Sequence, residues 1–154
     1  MDNNSGRPCS IAATLSIVGD RWALLAVREV ALGNHRFSEI VRNTGAPRDR
    51  LAARLKTLVA EGVLEQREYQ QSPSRSDYHL TEAGRELVPV LNMLRTWGDK
   101  WVVEQPPLTL SHHGHVIRPR VVCETCGEPV LEGEVDMTSN LADWDVAGPV
   151  VVSE

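Results

Sequence analysis

Apolar positions recur along this chain in two rhythms, and the rhythm changes at Gly62. Ile11, Leu15 and Val18 are spaced for a helix that opens at Pro8-Cys9-Ser10 and stops at Gly19. Asp20 is placed to cap a second helix, which carries Trp22, Leu25, Ala26 and Val30 on one face and stops at Gly33-Asn34. Phe37, Ile40 and Val41 predict a short third helix. Thr44-Gly45-Ala46-Pro47 breaks it and supplies a proline suited to starting a fourth. The fourth helix runs to about Glu61. Leu51, Leu55, Leu58 and Val59 share one arc of it, and Asp49, Arg50, Ala53, Lys56 and Thr57 lie opposite. Past Gly62 the period falls to two. Val63 to Tyr69 reads as a half-buried strand, Gln70 to Asp77 as a polar turn region, and Tyr78-His79-Leu80 as a short returning strand. Thr81 then caps a long helix ending near Glu104, in which Leu87, Leu91, Leu94, Gly98 and Trp101 form a seam. Pro89 predicts a kink or a lost hydrogen bond there, and Gln105-Pro106-Pro107 ends the helix.

A short helix, a turn, a helix with one apolar and one basic face, and a two-stranded ribbon form, in that order, a winged helix-turn-helix. The expected fold is therefore mainly α with a β wing. Residues 1–104 make the DNA-binding and dimerisation domain, and residues 105–154 a small C-terminal β extension. In that extension a zinc-ribbon-like hairpin reaches to about Val135, and an acidic tail beyond it is expected to be mobile. With 154 residues there is room for one main domain and an appendage. No apolar run approaches the roughly 20 residues of a membrane span. The first seven residues lack the apolar centre of a signal peptide, and three cysteines do not make a disulfide framework. These features point to a cytoplasmic protein without a membrane partner.

The net charge of −5 seems to oppose a nucleic-acid partner, but it is unevenly spread. Residues 1–104 hold 14 Lys/Arg against 13 Asp/Glu, or +1, whereas residues 105–154 hold 2 against 8, or −6. Eight basic residues against five acidic ones between Arg36 and Arg75 leave the motif itself at +3. The basic face of the fourth helix suits the major groove of double-stranded DNA. Arg48, Arg50, Arg54 and Lys56 can reach bases or phosphates, while Ala53 lets the helix approach closely. Gln71, Ser74 and Arg75 in the wing suit phosphate contacts. The seam of the last helix, with Leu87, Leu91, Leu94, Trp97 and Trp101, exceeds what one small domain can cover. Ile11, Leu15 and Trp22 are expected to join it across a two-fold axis in a homodimer.

Two further chemistries are written in the cysteines and histidines. His112-x-x-His115 and Cys123-x-x-Cys126-Gly127 have the two-residue gaps that let paired ligands face one ion, so His112, His115, Cys123 and Cys126 are the expected ligands of a structural zinc, with His113 able to replace either histidine; the alternative is a short β-hairpin with free thiols and solvated histidines. Cys9 has two readings. In the first turn of a helix its thiolate is favoured and reactive; packed at a dimer interface it is a small apolar residue. An enzyme is not expected, because no P-loop, nucleophile elbow or dinucleotide fingerprint is present. The alternative from that class is a thiol- or metal-dependent oxidoreductase using Cys123 and Cys126.

Cys9, Gly19-Asp20-Arg21-Trp22, Arg36-Phe37-Ser38-Glu39-Ile40, Leu51 to Leu58, Glu61-Gly62-Val63-Leu64, Tyr78 to Gly84 and Trp97-Gly98 together resemble the HxlR family of bacterial transcriptional regulators. The resemblance spans roughly residues 9–101. It implies a cytoplasmic homodimer on pseudo-palindromic operator DNA, with terminal helices at the dimer interface. The regulator would be a repressor relieved by a small-molecule effector or a redox signal. Two features depart from the family pattern: Pro8 precedes Cys9 where a Cys-Pro order is common, and the segment beyond Glu104 is long.

Overall fold

The computed structural model describes residues 8–71 and 74–141, with the backbone only at Ser74. Five helices and two hairpins follow in the order α1 (Ser10–Val18), α2 (Arg21–Ala31), α3 (Phe37–Thr44), α4 (Arg48–Ala60), β1 (Leu64–Gln71), β2 (Ser74–Leu80), α5 (Glu82–Trp101), β3 (Ser111–His112) and β4 (His115–Val116). Apart from Ser10, these elements all lie in one compact unit, Ile11–Pro119, and the described parts of Met1–Ser10 with Arg120–Glu154 make a second. The first unit thus extends past the expected boundary at residue 104 to include the β3–β4 hairpin.

Local chemistry explains the helix ends. The Asp20 carboxylate accepts the Trp22 N–H at 2.8 Å, and the Thr81 hydroxyl accepts the Gly84 N–H at 3.2 Å, each satisfying an orphan donor of the first turn. Gly45 ends α3 in the left-handed region at φ 68°. Gly19 is required for a different reason: a Cβ there would lie 2.3 Å from the Leu15 carbonyl oxygen.

Ile40, Leu51, Leu55, Leu58, Leu64 and Val27 are fully buried, so the core sits where α2, α3 and α4 meet the start of β1. The inner face of α2 is Ala23, Ala26, Val27 and Val30, with Trp22 and Leu25 only half-buried beside it. That corrects the face expected from spacing by part of a turn, because α3, α4 and α5 all pack on α2 and widen its covered arc. Glu29 is buried among these residues. It accepts from Arg28, from Asn34 at 2.8 Å and from Asn43 at 3.0 Å.

The wing is longer than expected. β1 and β2 pair antiparallel from Leu64↔Leu80 to Gln71↔Ser74, so strand structure fills most of the segment read as turn. A bulge between Glu68 and Gln70 leaves Tyr69 unpaired. The chain between α2 and α3 adds a third rung that the sequence did not announce: Tyr78 N–H donates to the His35 carbonyl at 2.9 Å, and Arg36 bridges Asp77. Beyond α5 only the short β3–β4 hairpin and the Val122–Pro129 bridge are β among the described residues. His113 and Gly114, both at positive φ, make the two-residue turn of that hairpin.

Candidate nucleic-acid interface

α3, the Gly45-Ala46-Pro47 turn and α4 present one continuous surface because their apolar faces all turn inward. On α4, Arg48, Asp49, Arg50, Ala52, Ala53 and Lys56 are exposed, while Leu51, Leu55 and Leu58 are buried. Arg48 lies over the Phe37 ring at 5.0 Å, which ties the start of α4 to the start of α3. Arg50 and Lys56 stand on the open face. Arg54 differs from the expectation. It is half-buried, with its Nε shielded from solvent and 3.5 Å from the Asp20 carboxylate, the same group whose other oxygen caps α2. Arg54 therefore lies beside the residue that caps α2, at ion-pair distance from it.

On the wing, Gln71 and Arg75 are exposed near the hairpin tip. The Ser74 side chain and Ser72-Pro73 lie outside the described residues. Arg67 is also exposed but leans on Glu65 within its own strand, with Nε at 2.8 Å. His79 stacks on His35 with ring centroids 4.4 Å apart. Partial desolvation, helped by Arg67 and His35, lowers the His79 pKa against the opposing pull of Asp77 and Glu65. Burial raises the Tyr78 pKa, and the Gln66 amide at 3.2 Å from its hydroxyl opposes that shift.

The residues expected at a dimer interface divide in two. Trp22, Leu87 and Leu91 pack on the chain's own core. Ile11, Leu15, Leu94, Trp97 and Trp101 are exposed, Trp97 by 61% and Trp101 by 65%, and Val90 and Met93 extend the exposed set along α5. Cys9 is free and exposed, one residue before α1 begins rather than inside its first turn.

The four residues expected to hold zinc fall in the two compact units, His112 and His115 in one and Cys123 and Cys126 in the other. Each pair is closed by its own short-range structure. His112 and His115 face each other across the β3–β4 turn, and the His112 ring tilts against His113. Cys123 and Cys126 sit in a loop held by Gly127 N–H to Cys123 O at 2.7 Å and Cys123 N–H to Glu128 O at 2.9 Å. Backbone N–H groups of Cys126 and Thr125 aimed at the Cys123 sulfur lower its pKa.

Residues 17–106 match the model of the HxlR-like helix-turn-helix family. The chain belongs to that family. A relative, an uncharacterized HTH-type transcriptional regulator of Mycobacterium tuberculosis, is 42% identical over 130 residues that cover 82% of each chain. The solved structure of PA1607, described as a proposed transcription factor, superposes with a TM-score of 0.75 at 30% identity, covering 87% of this chain and 96% of that one. The redox regulator HypR in its oxidized form superposes at 0.51 with 30% identity, covering 59% and 95%. This HxlR-type chain is accordingly a transcriptional regulator built on a winged helix, and no single helix in its described part is long and apolar enough to cross a membrane.

Proposed function

We propose that this regulator binds pseudo-palindromic operator DNA in the cytoplasm as a homodimer and represses until a small-molecule or redox signal relieves it. The observation that carries the DNA reading is the sidedness of α4, whose Arg50, Ala53 and Lys56 face solvent while its leucines fill the core. With its N-terminal turn in the major groove, Arg48 and Arg50 meet base edges and phosphates, and Arg75 and Gln71 follow the backbone from the wing. Arg54, one-third exposed beside Asp20, can add a phosphate contact from the flank of the helix. The dimer reading rests on the exposed stripe of Ile11, Leu15, Leu94, Trp97 and Trp101, an apolar patch of the kind that marks an interface. Redox relief through Cys9 is supported by its exposure and by the likeness to HypR. An oxidoreductase gains no support, since the described strands form two antiparallel hairpins and no βαβ unit surrounds Cys123 and Cys126. The test is nuclease footprinting on the DNA upstream of the protein's own coding region, run beside sedimentation velocity at micromolar concentration. Two protected half-sites about 34 Å apart, or a multiple of that, and a dimeric species are expected. A monomer, or no protected site, refutes the reading.

A further inference from the structure

The C-terminal half of α5, the proline-containing connection after it and the β3–β4 hairpin line an open groove of about 580 Å³, within the size range of small-molecule sites. Its two sides differ in chemistry. Pro106, Leu108, Leu110, Val116 and Ile117 make one side apolar, whereas Arg95, Asp99, Lys100 and Arg118 bring three positive charges against one negative. Asp99 is already committed, since its carboxylate accepts from Arg95 Nη1 at 2.6 Å one helical turn away. Arg95 Nε is shielded from solvent and donates to no acceptor among the described residues. Arg118 is exposed and Lys100 rests over the Trp101 ring at 4.4 Å, so neither has a carboxylate partner among the ion pairs of the described residues. None of these groups belongs to the α4 or wing surface.

We propose that this groove binds a small amphipathic carboxylate, with the carboxylate held by Arg95 and Arg118 and the apolar body laid against Leu108, Leu110, Val116 and Ile117. The guanidinium is the right partner because its fork matches two carboxylate oxygens. The apolar wall sets the class, since a bare inorganic anion has nothing to place there. The site supplies a place for the small-molecule signal of the regulatory reading and rests on that reading only for its effect on DNA. Binding itself is independent of it.

Isothermal titration of the full-length protein with octanoate, octanamide and inorganic phosphate, without DNA, tests the proposal. Octanoate is expected to bind with submillimolar affinity, and octanamide and phosphate at least about tenfold more weakly, as loss of a charge-assisted pair or of the apolar wall requires. Arg118→Gln, at an exposed position, should weaken octanoate by about tenfold, and Arg95→Lys, which keeps the charge but removes the fork, should weaken it as well. Circular dichroism confirms that both variants fold. Equal affinity for octanoate and octanamide, phosphate binding as tightly as octanoate, unchanged affinity in both variants, or no heat at millimolar octanoate would each overturn it. Operator affinity with and without octanoate is then read separately, so a failure to bind DNA leaves the binding result standing.

Discussion

The carboxylate of Glu29, 3% exposed, accepts the side-chain amide of Asn43 at 3.0 Å and so ties α2 to the last turn of α3. The same oxygen takes Asn34, and the other takes Arg28. Three donors around one buried acid fix how the helix-turn-helix sits on the rest of the domain. Glu29→Gln should lower stability by about 1–2 kcal/mol in urea melts, and Asn43→Ala by about 1 kcal/mol. Because the two residues touch, the double variant should cost less than the sum. Strict additivity would show that the contact carries no coupling.

Gly84 and Gly98 both lie in α5 and should respond oppositely to alanine. A Cβ at Gly84 would sit 2.2 Å from the Val63 carbonyl oxygen, at the contact where Thr81 N–H also bonds Val63, so Gly84→Ala should destabilise by about 1–3 kcal/mol. A Cβ at Gly98 meets nothing within 4 Å among the described residues. Gly98→Ala should therefore raise helix stability by up to about 1 kcal/mol, yet weaken the proposed dimer if helices approach there. Thermal melts at low concentration and sedimentation at high concentration separate the two effects.

The His79 pKa is lowered in the folded chain, chiefly by desolvation. The unfolded chain therefore holds more protons on this histidine between its ordinary value near 6.5 and the depressed one. Stability should fall as pH drops below about 6.5, through that window, and be full above it. His79→Asn should flatten this part of the stability–pH curve while keeping the wing paired. An unchanged slope assigns the dependence to another group.

Much of the fold was legible because helix and strand periods are local properties. Asp20, Gly45, Gly62 and Thr81 act at the ends of elements as their residue types require. What stayed hidden depended on contacts distant in sequence. The pairing of His35 with Tyr78, 43 residues apart, leaves no periodic trace in the two residues involved. Arg54 looked like its neighbours on the basic face until Asp20, on another helix, was seen to hold it. Leu87 and Leu91 share the seam spacing with Leu94, but only the core's extent decides where the seam stops being internal. The His and Cys pairs have the right spacing within each pair, but spacing does not reveal that a unit boundary at Pro119 lies between them.

Cys123 should be the more reactive thiol of its pair, since hydrogen bonds from the Cys126 and Thr125 backbone favour its thiolate. Timed alkylation with iodoacetamide near neutral pH, read by peptide mass spectrometry, should label Cys123 before Cys126. Equal rates would remove the hydrogen-bonded turn as the cause.

The central claim is that the exposed face of α4 reads DNA while the wing holds its backbone. Fluorescence anisotropy of an operator duplex and a scrambled duplex across a salt series, with wild type, Arg50→Ala and Arg75→Ala, tests it most directly. Arg50→Ala should cost about 1–3 kcal/mol on the operator and much less on the scrambled duplex. Arg75→Ala should weaken both alike and flatten the salt slope by about one unit. Operator and scrambled affinities that are equal at physiological salt for the wild type, or variants indistinguishable from it, would contradict the claim.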